Sequence, residues 1–363
     1  MTLTRREFSR LAGLASASSF VPAVYAQAGQ RPIGWCVVGL GRISMDHFMP
    51  GVKMSQSGRI VALVSGHRDK AEKQAAMYGV SSSAIYNYEN MDAIGDNQEI
   101  DAVYIALPNS MHAEYTIRSA RAGKHVLSEK PMATSVTDAK AMIEASKAAK
   151  KKLMIAYRCQ FDPLHMKAIE MIRSGQLGQI QAIESAFGFN IAAGEWRLDR
   201  KLAGGGPLMD VGIYCLNASR YLTGEEPHEI KAYSSVLDHD GRFNTVEENV
   251  SWTMKFPSGI VAACNTTYGG NMNGYFCVHG AKGSLEMLPA FNYDGMHLTG
   301  QIGRDQTIDE LSPVREPMEF TRQADHFAEC VWHDRTPKTP GEEGLRDIEL
   351  MSEIYQAAGL PGL

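Results

Sequence analysis

The 363-residue chain has no apolar run near the roughly 18 residues that a membrane helix needs, so no transmembrane helix is expected. It has only six cysteines, Cys36, Cys159, Cys215, Cys264, Cys277 and Cys330. They are widely spaced, mostly in apolar segments, and none forms a CxxC pair. With no HExxH either, neither a metal site nor a dithiol motif is signalled, and the thiols read as buried core residues. The charge surplus is small and negative, −5, which argues against a general nucleic-acid binder. There is no internal repeat and no long low-complexity linker. The 44% apolar and 21% charged content is that of an ordinary globular protein, and the length suits two domains.

The amino terminus reads as an export signal. Thr4-Arg5-Arg6-Glu7-Phe8 is a twin-arginine start, a weakly apolar Ser/Ala-rich stretch runs from Leu11 to Val24, and Val24-Tyr25-Ala26 offers small residues for cleavage. Residues 1–26 are therefore expected to be a Tat signal peptide and the protein to be periplasmic; the other reading is a basic tail. The Tat route carries folded proteins, as suits an enzyme that loads its cofactor before export.

From there, short apolar runs alternate with helical patterns. Ile33–Val38, Ile60–Val64, Ala102–Leu107, His125–Leu127 and Leu153–Ala156 read as strands, and Asp69–Tyr78, Ala113–Ala122 and Thr137–Lys150 as helices. That alternation predicts a doubly wound parallel sheet with its ligand beyond the carboxyl ends of the strands. After Arg158 the texture changes. A helix near Pro163–Arg173 precedes strand-like runs at Ile180–Phe189, Glu229–Leu237, Val246–Phe256, Gly259–Tyr268, Tyr275–His279 and Ser284–Leu288. Glycine-rich turns join several of them, which predicts an α+β domain with a large, mostly antiparallel sheet. Further helices are expected at Leu208–Leu222, Arg322–His333 and Glu342–Ala358. The domains are placed at 27–157 and 158–363.

Val38-Gly39-Leu40-Gly41-Arg42-Ile43-Ser44 opens the first domain as a dinucleotide loop would. Gly39 permits a tight turn, Gly41 lets backbone approach a pyrophosphate, and Ser44 is small enough for helix to pack on strand. Taken alone, this motif is also what any strand–glycine turn–helix looks like. The end of the second strand discriminates the cofactor. Val64-Ser65-Gly66-His67-Arg68-Asp69-Lys70 has no acid until Asp69, and Arg68 and Lys70 supply positive charge where a 2′-phosphate would lie. NADP is favoured over NAD; otherwise these are solvated residues opening a helix.

Two further motifs add chemistry. Lys130, in Glu129-Lys130-Pro131, stands at a strand end, where an ammonium beside a nicotinamide can hold a sugar hydroxyl and lower the pKa of a neighbouring tyrosine. Gly204-Gly205-Gly206-Pro207-Leu208-Met209-Asp210-Val211-Gly212-Ile213-Tyr214 spaces Asp210 and Tyr214 four apart, so a helical turn puts them on one face. The three glycines suit a helix whose amino end lies against ligand. The bland readings are a surface lysine, a first-turn carboxylate and a half-buried aromatic.

Together with Tyr157-Arg158, these motifs resemble the glucose–fructose oxidoreductase / inositol dehydrogenase (Gfo/Idh/MocA) family, over the whole chain after the signal. LVSG at Leu63–Gly66, IYNY at Ile85–Tyr88, AVYIALPNSMHAEY at Ala102–Tyr115, GKHVLSEKPMATSV at Gly123–Val136, Trp196-Arg197-Leu198 and PGEEG at Pro340–Gly344 point to its glucose–fructose and aldose–aldose oxidoreductase branch. The resemblance implies a Rossmann domain followed by an α+β substrate-binding and dimerisation domain. Lys130, Asp210 and Tyr214 match the family's catalytic positions, with Tyr214 as acid/base at the sugar C1 hydroxyl. With Arg158 they would also bind substrate. It implies cofactor contacts at Gly39, Leu40, Gly41, Arg42, Ile43, Ser65, Gly66, Lys70, Tyr88, Leu107, Pro108, Asn109, His112, Glu129, Lys130, Arg158, Trp196 and Arg197. The expected activity is oxidation of an aldose at C1 to its lactone and reduction of a second sugar to an alditol, by ping-pong hydride transfer on tightly bound NADP(H). The alternatives are a nicotinamide-dependent glycoside hydrolase of the same family and an ordinary NADP-dependent sugar dehydrogenase. Sugars are the expected partners, with no nucleic acid and no membrane. The proline-rich arm of glucose–fructose oxidoreductase is missing between Ala26 and Ile33, so a homodimer is expected rather than an embraced tetramer. Phe187–Glu195 also departs from that enzyme, so the sugar preference is expected to differ.

Overall fold

The computed structural model describes residues 30–363; the twin-arginine segment and its cleavage site lie outside the described residues. The first sheet has six parallel strands: β1 Ile33–Val38, β2 Gly58–Val64, β3 Ile85–Tyr86, β4 Ala102–Ile105, β5 His125–Ser128 and β6 Leu153–Ile155. Their order is β3-β2-β1-β4-β5-β6. The order reverses between β1 and β4, and a ligand crevice opens at such a switch point. The strands read as continuous apolar runs because helices cover both faces; all six residues of β1 are buried. Sequence periodicity gave no sign of β3, which has two residues and owes its place to pairing with Leu63 and Val64.

The second sheet has eight strands: β7 Ile180–Gly188, β8 Glu229–Ser235, β9 Asn249–Lys255, β10 Val261–Thr267, β11 Met272–Gly280, β12 Gly283–Met287, β13 His297–Ile302 and β14 Gln306–Leu311, in the order β14-β13-β12-β11-β7-β10-β9-β8. Every pair is antiparallel except β7 with β10. The strands β13 and β14, at one end of the sheet, escaped the sequence reading because their faces alternate weakly; only Leu298 and Ile308 are buried in them. One face of the sheet is covered: Val250, Trp252 and Met254 of β9 point into the core with Ala262 and Cys264 of β10. The other face carries Ser251, Thr253, Asn265, Glu184 and Glu286 beside Val261 and Ala263, all exposed. It is open and mixed in polarity rather than apolar.

The carboxyl-terminal helices return to the first sheet. Met318–Trp332 packs on Met49–Met54, where Phe327 meets Trp35, and Gly341–Ala357 packs on Val136–Ala148. Thr339 seals the β6 edge, its carbonyl accepting from Ile155 N at 2.8 Å and its hydroxyl donating to Ile155 O at 2.6 Å. One buried cluster therefore runs through both sheets. Among the described residues, no helix is long and apolar enough to cross a membrane and all six cysteines are free, five of them buried.

Candidate functional site

The glycine loop is built by close approach. Gly39 has φ +91°, and a Cβ there would stand 2.3 Å from Ala106 O, so only glycine fits between β1 and β4. Ser44, in the third glycine position, donates to Gly39 O at 2.6 Å and closes the turn. A Cβ on Gly41, by contrast, would meet nothing within 4 Å. Gly41 faces an open cleft of about 570 Å³, so the backbone is free to take a flat polar group. The following turn, Ile43–Phe48, is a wide π-type segment, and a second one at Leu208–Gly212 opens the helix across the cleft. Such segments recur at functional sites.

Gly41, Arg42, Ile43, Leu107, Pro108, Asn109, His112, Glu129, Lys130, Arg158, Trp196 and Arg197 all line this cleft, as do Asp210 and Tyr214. Gly39 and Leu40 precede Gly41 in the turn and do not line the cleft. His112 is buried, with its two ring nitrogens 2.8 Å from Pro131 O and 2.9 Å from Leu107 O. Burial lowers its pKa, against the two carbonyls, which raise it. Asn109 donates to Ala203 O at 2.8 Å and ties the cleft floor to the second domain. Tyr104 donates to Glu129 at 2.6 Å. Burial raises the Glu129 carboxyl, against that hydrogen bond and the pull of Lys130.

Ser65, Gly66, Lys70 and Tyr88 gather separately at the end of β2. Lys70 Nζ reaches back to Leu40 O at 3.3 Å, spanning from the second βα unit to the glycine loop. The Tyr88 ring lies against Gly66, where a Cβ would be 3.2 Å away. Ser65 Oγ accepts from His67 N at 3.1 Å. Arg68 does not join them: it is held by Glu72, Ile85 O and Ser82 O. The positive charge at this strand end is Lys70 alone of the two expected.

A second cavity of about 330 Å³ adjoins the cleft, walled by Lys130, Arg158, Asp210, Tyr214 and the aromatic rings of Phe187, Phe189, Phe291 and Tyr293. Asp210 stands at its centre. It accepts from Arg197 Nε at 3.0 Å, Tyr268 OH at 2.8 Å and Lys130 Nζ at 3.3 Å. Burial pushes its carboxyl up, but the two cations and the tyrosine outweigh this and hold it below its usual range. Lys130 also donates to Asp210 O at 2.6 Å, and its ammonium lies over the Tyr214 ring at 4.8 Å.

The cation at the tyrosine oxygen is not the expected one. Arg158 Nε stands 3.3 Å from Tyr214 OH, and its guanidinium lies between the Tyr214 and Tyr293 rings, at 5.2 and 4.3 Å. Burial raises the Tyr214 pKa, and Arg158 opposes that. Arg158 is itself fixed by a buried ion pair with Glu319 at 2.7 Å and by the carbonyls of Phe291 and Asn292. Lys130 instead positions Asp210.

The glycine triplet has a different cause from the one its sequence suggested. A Cβ on Gly205 would stand 2.0 Å from Tyr355 OH, and one on Gly206 would be 2.4 Å from Glu247 O. The start of the Asp210 helix is buried against protein, not ligand. Glu247 accepts from Gly206 N at 3.0 Å and from Tyr355 OH at 2.8 Å. Glu319, Tyr268, Tyr293, Glu247 and Tyr355 all shape the site without a motif to announce them.

Comparison with known proteins gives a consistent picture. Residues 33–157 match the family described as an oxidoreductase family with an NAD-binding Rossmann fold, and residues 165–286 match the GFO/IDH/MocA C-terminal domain. A D-xylose 1-dehydrogenase [NADP(+)] of Haloarcula marismortui is 29% identical over 91% of this chain and 92% of its own. The structure of an aldose–aldose oxidoreductase from Caulobacter crescentus, complexed with glycerol, is 42% identical, with a TM-score of 0.87 over 91% of this chain and 98% of that one. A 3-ketoreductase from Actinomadura kijaniata, solved with NADP and TDP-benzene, shares the fold at 23% identity and a TM-score of 0.77, over 87% of this chain and 94% of that one.

Proposed function

The chain belongs to the GFO/IDH/MocA oxidoreductase family, and we propose from that membership that it is an NADP-dependent sugar oxidoreductase, oxidising an aldose at C1 to its lactone and reducing a second sugar to an alditol. The observation that carries this reading is the convergence of Tyr214, Lys130, Asp210 and Arg158 on one small cavity opening into the dinucleotide cleft.

The open approach over Gly41 and the Lys70 ammonium tied to Leu40 fit a dinucleotide carrying a 2′-phosphate. Gly41, Arg42 and Ile43 would hold its phosphates, Ser65, Gly66, Lys70 and Tyr88 its adenosine end, and Leu107, Pro108, Glu129, Trp196 and Arg197 its nicotinamide end. When bound, NADP supplies the hydride acceptor of one half-reaction and the donor of the other. Tyr214 exchanges a proton with the sugar C1 oxygen, Arg158 steadies the phenol oxygen, and Asp210, pinned from three sides, binds sugar hydroxyls. Phe187, Phe291 and Tyr293 offer flat apolar surface to a pyranose ring and exclude water. A cavity of about 330 Å³ takes one monosaccharide at a time, which supports ping-pong exchange.

Export in folded form from the Tat start supports a periplasmic protein that recycles its cofactor in place. The uncovered face of the eight-stranded sheet supports a homodimer, a second copy covering what no helix among the described residues covers. The test is direct. The purified protein is denatured and the released nucleotide identified, then sugars are offered singly and in pairs without added nucleotide. NADP(H) and paired turnover are expected. Release of NAD(H) alone overturns the cofactor; activity that scales with added NADP marks an ordinary dehydrogenase.

A further inference from the structure

The loop between β12 and β13 wraps Arg158. Phe291 O and Asn292 O accept from its guanidinium, and the ring of the next residue, Tyr293, lies 4.3 Å from it. His47, from the turn after the glycine loop, stacks on the Tyr293 ring at 4.1 Å and 22°. Two contacts therefore fix the ring, and Tyr293 lines both the 330 Å³ cavity and the dinucleotide cleft. Phe187, Phe189 and Phe291 wall the same cavity without a polar atom, so packing alone does not call for a tyrosine here. The other polar groups at the reacting centre are committed to protein. Arg158 is held by Glu319 and two carbonyls and reaches the Tyr214 oxygen, while Lys130 and Arg197 hold Asp210. The Tyr293 hydroxyl has no hydrogen-bond partner among the described residues, yet the charges of Tyr214, Arg158, Lys130 and Glu129 all act on it, as suits a group at the same centre. Burial and the neighbouring Tyr214 raise its pKa, so it is a neutral phenol that can both donate and accept.

We propose that Tyr293 reads the C2 hydroxyl of the sugar, through a hydrogen bond from its fixed ring at the junction of cavity and cleft. The inference rests on the functional reading above. C1 must lie at that junction, because it exchanges a hydride with the nicotinamide and its oxygen exchanges a proton with Tyr214. A hydroxyl lining both spaces is therefore set to serve the oxygens next to C1, which are the ring oxygen and the C2 hydroxyl. The ring oxygen carries no proton in the aldose that is oxidised and becomes a free hydroxyl in the open-chain aldehyde that is reduced. The C2 hydroxyl is the neighbour of C1 that both half-reactions present unchanged. It also donates and accepts, as the phenol does. One residue can thus orient both sugars in one site, and a site built to bond a hydroxyl discriminates against an analogue that lacks it.

The test is a cycle of two proteins and two sugars. Wild type and Tyr293→Phe, both loaded with NADP, are compared in kcat/KM for the aldose that the wild type oxidises best and for its 2-deoxy analogue. Phenylalanine keeps the ring against His47 and Arg158 and removes the hydroxyl alone. Tyr293→Phe should lower kcat/KM for the parent aldose roughly three- to tenfold and change that for the 2-deoxy sugar less than about twofold, so that the preference for a C2 hydroxyl shrinks. Any difference in intrinsic reactivity between the two sugars cancels in the cycle. Equal losses on both sugars, or no loss on either, overturn the assignment. A variant that releases NADP while keeping the full preference for the C2 hydroxyl also overturns it and puts the phenol on the nicotinamide instead. Wild-type protein that oxidises no aldose brings down the functional reading, and the role of Tyr293 with it.

Discussion

Replacing Arg158 by methionine should separate what holds the site together from what runs it. The guanidinium is buried and paired with the buried Glu319 at 2.7 Å, and it donates to the carbonyls of Phe291 and Asn292. Removing one partner of a buried pair costs about 3–5 kcal/mol, because the other is left uncompensated. Two unpaired carbonyls add to that. Burial already raises the Glu319 pKa, and without Arg158 nothing of comparable strength pulls it down. A carboxyl whose folded pKa lies above its unfolded one stabilises least at high pH. The Arg158→Met deficit should therefore be smallest near pH 4 and grow as pH rises through the folded pKa. Arg158→Met/Glu319→Leu removes both charges and should recover most of the loss. Turnover should not recover, since Tyr214 has lost its cation in both variants; roughly a hundredfold deficit is expected. Urea midpoints between pH 4 and 8 and single-turnover rates decide it. A double variant no more stable than the single one would refute the buried-pair account. Turnover that returns with stability would show that Arg158 serves folding alone.

Other outcomes follow from the same geometry. Tyr214→Phe should lower turnover by about 10²–10⁴ while cofactor stays bound, as absorbance of the purified protein would show. Lys70→Ala should weaken NADP by roughly 1–3 kcal/mol in titration calorimetry and barely touch NAD, while Arg68→Ala should leave both unchanged because Arg68 is held by Glu72, Ile85 O and Ser82 O. Gly205→Ala should destabilise the start of the Asp210 helix, since its Cβ would stand 2.0 Å from Tyr355 OH, and Gly205→Ala/Tyr355→Phe should partly restore it. Light scattering at micromolar concentration should give a dimer; a monomer would count against the open sheet face as an interface.

The sequence by itself determined whatever is local or periodic. The alternation of apolar runs with helical patterns laid out a parallel sheet, and Gly39 marked the turn, because φ above zero and close backbone approach admit few residue types. Asp210 and Tyr214 were placed on one face by their spacing of four, and Lys130 joined them through the family resemblance of its Glu129-Lys130-Pro131 string. Tertiary structure decided what depends on distant partners. Two strands as short or as weakly patterned as β3 and β14 exist only through their neighbours' ladders. That Arg158 rather than Lys130 meets the phenol oxygen depends on Glu319, 161 residues away along the chain. That the glycine triplet yields to Tyr355 and Glu247 depends on a helix closing back from the carboxyl terminus. Such contacts leave no period and no motif. Each is set by which side chains share a low-dielectric interior, where an unpaired charge costs most and packing allows one arrangement.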